Sequence, residues 1–280
     1  MKRLLLGSFL ALSMALTASS AKAGNIGLTG HDDDLHCGGG TTGAACSQLN
    51  ALVTFVRGGS SLPVLTFDAG SELTSSLTAA GISYTNVNPN TPGAVTAALF
   101  NHSTYSAFIV ASDTSCGGCD NNPTGEAAIA AQNTAIGNFL NAGGGILGLA
   151  GANSTGYYDF VPQTASSVGG APPTGYSQTS AGATFGIPDV NGDPTHNLFF
   201  NPGTNGESAF YQVAEVNSFG NSGIPGPNAA ATLICDMCTV SGGVIGGGGG
   251  GTVTPEPSTL LLLGTGLLSV GGAITRKRHA

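Results

Sequence analysis

Short apolar runs alternate with helix-like segments between residues 25 and 152. The apolar runs predict β-strands at residues 25–29, 64–67, 82–87, 107–111 and 145–149. The segments between them have the apolar spacing or the capping residues of helices, at residues 49–56, 71–80, 92–101 and 126–141. Strands that alternate with helices build a mainly parallel sheet with helices on its faces. We therefore expect an α/β domain.

The pattern changes after residue 152. Gly, Pro, Ser and Thr dominate up to residue 193, which predicts loops with few regular elements. The remaining strand candidates lie at residues 198–200, 209–216 and 230–235. We expect them to form a loop-rich C-terminal extension that continues the sheet in antiparallel fashion.

The segment from Phe139 to Ala152 reads Phe-Leu-Asn-Ala-Gly-Gly-Gly-Ile-Leu-Gly-Leu-Ala-Gly-Ala. With the apolar strand at residues 107–111, it resembles the class I glutamine amidotransferase-like fold, especially its ThuA-like branch. This resemblance covers about residues 25–152 and implies a flavodoxin-like three-layer sandwich. In that family the turn after this strand carries a nucleophilic cysteine, but here the residue is Ala150, which can neither attack nor relay a proton.

Residues 1–23 have the pattern of a secretory signal peptide. Two basic residues precede an apolar run over residues 4–16, and the segment ends in Ala-Lys-Ala. This order predicts removal by signal peptidase, so that the exported chain begins at Gly24. A transmembrane helix is the alternative, although the apolar run is short for a bilayer.

The far end of the chain has a different pattern. Residues 246–251 are all glycine, so we expect the folded domain at residues 24–242 and a Gly-rich linker at residues 243–254. Next come Pro255, Glu256 and Pro257, an apolar run over residues 260–274 and a basic Arg-Lys-Arg end. Residues 255–280 thus resemble the PEP-CTERM sorting signal of Gram-negative bacteria that make extracellular polysaccharide.

That resemblance implies an exosortase-type sorting enzyme as a partner. It also implies a short transmembrane helix that holds the chain in the membrane until processing. The protein would then reach the cell envelope, the cell surface or the extracellular matrix. An ordinary C-terminal membrane anchor is the alternative.

Charge limits the partners of the exported domain. Arg57 is its one basic residue, against fourteen acidic residues between residues 24 and 254. Binding to phosphates needs Lys and Arg side chains that displace counterions, so nucleic acid is excluded as a partner. An acidic surface suits a cation, a neutral glycan or solubility alone.

The exported part contains six disulfide candidates: Cys37, Cys46, Cys116, Cys119, Cys235 and Cys238. An even count outside the cytosol favours disulfides, and six cysteines allow fifteen pairings. Two of the pairs have the C-x-x-C spacing, which also occurs in zinc sites and redox motifs. Zinc binding and thiol exchange are therefore the alternatives.

The most distinctive polar segment, Gly-His-Asp-Asp-Asp-Leu-His at residues 30–36, follows the first predicted strand. Ligands in open parallel sheets bind at the carboxyl ends of strands, where the turns after other strands add further side chains. The candidate ligand or cation site comprises His31, Asp32, Asp34, His36, Asp68, Asp113 and Asn153. Carboxylates alone favour calcium or magnesium, while imidazoles add ligands for a transition metal. A solvated, helix-capping loop is the alternative.

Three functions follow from these observations. The leading hypothesis is a non-catalytic surface or matrix protein that binds a divalent cation such as calcium, or a glycan such as extracellular polysaccharide. The second is a metal-dependent hydrolase of carbohydrate or ester bonds, with His31, Asp32 and Asp113 as metal ligands or base. The third is a thiol-disulfide exchanger that uses Cys116 and Cys119. His196, isolated in the sequence, is expected at the surface or the edge of the core.

Overall fold

The computed structural model describes residues 23–192, 194–204 and 207–240. Within these ranges ten strands form one sheet. They are β1 Gly24–Thr29, β2 Val64–Phe67, β3 Tyr84–Val87, β4 Ala107–Val110, β5 Gly145–Gly148, β6 Ser167–Gly169, β7 Tyr176–Gln178, β8 Asn197–Phe199, β9 Gln212–Asn217 and β10 Ala229–Cys238. The α-helices of the same ranges are α1 Asp33–Cys37, α2 Ala44–Arg57, α3 Glu72–Ala79, α4 Pro123–Ala130, α5 Asn133–Asn141 and α6 Ser180–Phe185.

Strands β1 to β5 form the parallel half of the sheet, in the spatial order β3-β2-β4-β5-β1. Side chains alternate between the two faces, as the pleat of a strand requires. In β4, Phe108 and Val110 belong to one hydrophobic core, and Ala107 and Ile109 to the other. Both faces are apolar because helices cover both sides of a parallel sheet.

Helices α2 and α3 cover one face of the parallel strands, and α4 and α5 cover the other. Leu52 of α2 and Leu73 of α3 share a core with Ile109. Phe139 of α5 packs against Phe108 on the opposite face, with ring centroids 5.9 Å apart. The domain is therefore a three-layer sandwich.

The C-terminal half extends the sheet beyond β1. Strand β10 pairs with β1, and β8 and β6 follow outward, while β9 also pairs with β10 and β7 pairs with β9. All of these pairings are antiparallel. The segment before β8 also reaches the end of β1, where Thr195 forms an antiparallel bridge with His31.

The expected α/β class is confirmed, with a mostly parallel central sheet between helices as in a flavodoxin-like sandwich. Its parallel strands follow the order 3-2-4-5-1, whereas flavodoxin itself has the order 2-1-3-4-5. The expected antiparallel extension is present too. It contains more regular structure than its composition predicted, because β6, β7 and α6 lie within a stretch expected to be loops.

Two predicted helices differ from the observed ones. The helix expected at residues 92–101 is a single 3-10 turn, Ala97–Leu99, because Gly93 adopts a φ of 76°, which an α-helix does not contain. The helix expected at residues 126–141 is divided into α4 and α5. The short helix α1 lies where a loop was expected.

Several sequence-based expectations concern residues outside the described ranges. These are the signal peptide up to residue 22, the Gly-rich linker at residues 243–254, and the sorting segment at residues 255–280 with its short membrane helix. Among the helices of the described part, none combines the length and the apolar character that crossing a bilayer requires.

Candidate functional site

Asn121 closes the carboxyl edge of the sheet between β2 and β4. Its Nδ2 donates to the carbonyls of Phe67 at 2.8 Å and Ala111 at 3.0 Å, and its Oδ1 accepts from the Ala69 N–H at 3.1 Å. The chain leaves β2 and β4 toward opposite faces, an arrangement that opens a ligand crevice in many α/β folds. Here the buried Asn121 side chain bridges the two strand ends.

Tyr157 and Tyr158, in a 3-10 turn after β5, close the edge between β4, β5 and β1. The Tyr157 hydroxyl donates to the Val110 carbonyl at 2.8 Å and accepts from the Leu149 N–H at 3.0 Å. The Tyr158 hydroxyl donates to the Leu149 carbonyl at 2.7 Å and accepts from the Gly151 N–H at 3.1 Å. Burial raises the pKa of both phenols, so they remain neutral.

Ala150 lies fully buried in the turn after β5. Its N–H donates to the Ser112 hydroxyl oxygen at 3.2 Å. Asp34 in turn accepts from the Ser112 hydroxyl at 2.7 Å and from the Ser112 N–H at 2.9 Å. Burial raises the pKa of Asp34 to about 6. These bonds tie α1 to the ends of β4 and β5, at the turn where an amidotransferase-like enzyme would carry its nucleophile.

Asp113, after β4, lies beside Glu126 of α4, and each has one buried carboxylate oxygen without a hydrogen-bond partner among the described residues. Asp113 accepts from the Ser115 N–H at 2.7 Å, and Glu126 accepts from the Ser154 hydroxyl at 2.7 Å. Burial, and then the interaction with Asp113, raise the pKa of Glu126 to about 8. Asn153 joins the group through its N–H, which donates to the Ser115 hydroxyl at 3.0 Å. The pKa of Glu126 rises because two neighbouring buried carboxyls resist ionising together.

Asp68 binds the first turn of α3. Its oxygens accept from the N–H groups of Gly70 at 2.9 Å and Thr74 at 3.2 Å. Asp68, Glu72 and Asp120 each have a carboxylate oxygen within 4.8 Å of the others. The hydrogen bond with Glu72 raises the pKa of Asp120 to about 7. A shared proton therefore neutralises part of the charge that would attract a cation here.

His31 is fully buried between β1 and the extension. Its Nε2 lies 2.7 Å from Glu215 Oε2, and its Nδ1 lies 2.5 Å from Thr195 Oγ1. Glu215 also accepts from the Val190 N–H at 2.8 Å and the Thr232 hydroxyl at 2.9 Å. Within the described ranges, the groups of converging metal-ligand atoms contain neither His31 nor Asp113.

Asp32 brings two histidines together. Its Oδ2 lies 3.5 Å from His36 Nε2 and 3.1 Å from His196 Nε2. Its Oδ1 is buried and has no hydrogen-bond partner in the described part of the chain. The side chains of His36 and His196 are 36% and 27% exposed, so solvent reaches the cluster from the imidazole side.

Local structure explains why these three side chains converge. Asp32 precedes α1, and His36 lies four residues further on, which places both on one side of the helix. The antiparallel bridge brings the third residue: the Asp32 N–H donates to the Pro194 carbonyl, and the His196 N–H donates to the Gly30 carbonyl, both at 2.8 Å. His196 was not among the predicted ligands, because no local pattern in the sequence indicates that its segment pairs with the end of β1.

This edge of the sheet carries buried acids without a lysine or arginine beside them in the described part of the chain. Asp33 of α1 is fully buried, and burial, followed by the charges of Glu215, Asp34 and Asp32, raises its pKa well above the ordinary value. Arg57, the one Lys or Arg residue of the described part, donates to the Leu62 carbonyl at 3.2 Å, before β2 begins. That contact lies at the amino end of the strands, so Arg57 does not neutralise the negative charge of the acids at the carboxyl edge.

The cysteines form three local disulfides, Cys37–Cys46, Cys116–Cys119 and Cys235–Cys238. The disulfide prediction is thereby confirmed. Cys119 Sγ lies 3.9 Å from Asp32 Oδ2, so the second disulfide flanks the Asp32 cluster. Bonded in pairs, these sulfurs are not thiolate ligands.

Comparison with known proteins identifies one family segment. The family described as the PEP-CTERM protein-sorting motif matches residues 253–278. This match indicates an exported protein of the Gram-negative cell envelope that an exosortase-type enzyme recognises. No curated protein and no solved structure matches the chain. The amidotransferase-like resemblance of the middle domain thus gains no support from these comparisons.

Proposed function

We propose that this chain is an exosortase-sorted surface or matrix protein whose α/β domain is a non-catalytic module that binds a divalent cation. The observation that carries the proposal is the closed carboxyl edge. Asn121, Tyr157 and Tyr158 occupy the strand ends where parallel sheets bind substrates, and Ala150 offers no nucleophile. What is left at this edge is a set of buried acids that no lysine or arginine of the described residues neutralises.

A cation has better support as the ligand than a glycan. Binding clefts for organic ligands are lined mainly by apolar and aromatic side chains. The chain has no Trp, and the large hydrophobic side chains exposed in the described ranges are Phe219 and Met237. Asp32, in contrast, is a buried carboxylate whose Oδ1 lacks a partner among the described residues. Extracellular polysaccharide would then surround the protein without being its ligand.

A metal-dependent hydrolase of carbohydrate or ester bonds is the second candidate. The partial exposure of His36 and His196 favours it. Metal ions that catalyse hydrolysis are held by about three protein ligands and keep a position for water. Asp32 and the two histidines could supply such a set.

Hydrolysis assays separate the two candidates. The full-length chain is incubated with polysaccharides and acyl esters, together with Zn²⁺, Mn²⁺ or Ca²⁺ or with a chelator. We expect no turnover above that of the metal alone. Metal-dependent turnover that His36→Ala removes and His102→Ala retains would reject the non-catalytic proposal in favour of the hydrolase.

A further inference from the structure

We infer that Asp32, His36 and His196 form a binding site for a first-row transition metal of the Zn²⁺ type. The inference rests on the proposed cation-binding function and deepens it by naming the ligands and the class of ion. The proposed ion differs from calcium and magnesium, which a site made of carboxylates alone would favour.

The separations of the ligand atoms fit a single ion. Imidazole and carboxylate ligands lie ~2.1 Å from Zn²⁺, so two of them stand ~3.0 Å apart at a right angle and ~3.4 Å apart at the tetrahedral angle. Asp32 Oδ2 is 3.1 Å from His196 Nε2 and 3.5 Å from His36 Nε2. The ligand atoms of all three residues lie within 4.8 Å of one another.

The buried Asp32 carboxylate provides an independent argument. Both imidazoles approach Oδ2, and Oδ1 has no hydrogen-bond partner among the described residues. A buried polar atom without a partner destabilises the fold, and a charged group does so more strongly. A metal ion at this carboxylate would offset that cost directly.

The ligand types select the ion. Calcium and magnesium take oxygen ligands, whereas imidazole suits zinc, copper, iron and nickel. The cysteines beside Asp32 are joined as Cys116–Cys119, so the donor set is two nitrogens and one carboxylate. Water would complete the coordination from the side where the two imidazoles are exposed.

In the test, the full-length chain is first treated with a chelator, and zinc is then titrated into it in a calorimeter. We expect Asp32→Asn, His36→Ala and His196→Ala each to weaken zinc binding by about tenfold or more. His102→Ala is the matched control and should bind as the wild type does, because His102 packs near Phe139 before β4. Excess calcium or magnesium should not compete.

A second measurement does not depend on how well the variants fold. Co²⁺ added to the wild-type chain should give visible absorption typical of nitrogen and oxygen ligands, and Zn²⁺ should abolish it. Wild-type affinity in all three ligand variants would overturn the inference. So would zinc binding that appears only after reduction of Cys116–Cys119, because the ligands would then be thiolates.

Failure of this inference can be told apart from failure of the proposed function. If the chain is exported and sorted, shows no hydrolysis and binds no zinc, then only the zinc site is rejected. Hydrolytic turnover, or retention of the chain inside cells, rejects the proposed function whatever the zinc titration gives.

Discussion

His31 and Glu215 illustrate how single residues hold the two halves of the sheet together. His31 follows β1, Glu215 lies on β9, and both side chains are fully buried. The Glu215 carboxylate accepts four hydrogen bonds, from the Val190 N–H and from the side chains of His31, Gln48 and Thr232. Such a completely bonded carboxylate is tolerated in a core because its partners replace the lost water.

Replacing Glu215 should therefore be costly. Glu215→Ala leaves the His31 ring and the Val190 N–H without this acceptor, while Gln48 keeps the Pro188 carbonyl. Each buried group left unpaired costs about 1–3 kcal/mol. Urea unfolding should show that loss. The exposed Asp236→Ala is the control and should change stability little. Equal stabilities for the two variants would contradict this structural role.

The Asp113–Glu126 pair predicts how stability depends on pH. Glu126 has an ordinary pKa of 4.5 and a folded pKa of about 8. Below about pH 4.5 the folded and unfolded chains both hold this proton, and between about 4.5 and 8 only the folded chain does. The free energy of unfolding should therefore fall as pH rises through this window, by at most ~1.4 kcal/mol per pH unit for one proton.

The Glu126→Gln variant isolates this contribution. The groups that face Glu126 are Asp113, Asp159 and the phenols of Tyr157 and Tyr158. Glutamine remains neutral, so its stability curve should be flatter than that of the wild type between pH 5 and pH 8, with the largest gain at about pH 8. Thermal melts across this range measure it. A curve parallel to that of the wild type, or to that of the exposed control Asp189→Asn, would contradict the raised pKa of Glu126.

The candidate site could be predicted only in part at this scale. Asp32 and His36 belong to one short polar segment, and their proximity follows from helical spacing. The other partners come from distant segments: His196 from before β8, Glu215 from β9 and Glu126 from α4. No local sequence pattern predicts the contacts of these three residues, because the contacts depend on which strands become neighbours in the sheet.

At the scale of elements, the 3-10 turn Tyr157–Phe160 closes the carboxyl edge of the parallel strands. It packs beside α4 and directs the hydroxyls of Tyr157 and Tyr158 at the backbone of β4, β5 and their turns. Gly151 permits this approach, since a Cβ there would lie 2.9 Å from Tyr158 Cε2. The turn thus fills space that many enzymes of this class leave open for substrate.

Removing one hydroxyl from this turn tests its role. Tyr158→Phe leaves the Gly151 N–H without its acceptor and the Leu149 carbonyl without its donor, for an expected loss of about 1–3 kcal/mol. Tyr84→Phe is the control, because the Tyr84 hydroxyl contacts Thr78 at an exposed position. Similar unfolding midpoints for the two variants would contradict the structural role of Tyr158.

The fold was predictable where elements are long or fully apolar. Strands β2 and β4 lie within a residue of their expected bounds because four consecutive residues are buried in each. Strands β6 and β7 have three residues each, too few to establish a period of two. The order of the parallel strands could not be predicted either. The sequence does not reveal whether a crossover connects adjacent strands of the sheet or passes over strands that lie between them.

At the scale of the whole molecule, an acidic domain precedes the sorting motif at residues 253–278. A single arginine among the fourteen acids of residues 24–254 suits a protein that meets cations outside the cell. The disulfides agree with an oxidising compartment. These features agree with the export that the sorting motif at residues 253–278 indicates. The proposed cation binding assumes that the protein is exported.

The fate of the two chain ends in cells tests this premise most directly. The chain is expressed in a Gram-negative host with an active exosortase, and intact mass is measured for the surface and extracellular fractions. We predict a protein that begins at Gly24 and has lost the segment after Pro257, while Glu256→Ala keeps its tail and stays with the membrane. A wild-type chain that remains inside the cells with both ends intact would contradict the account.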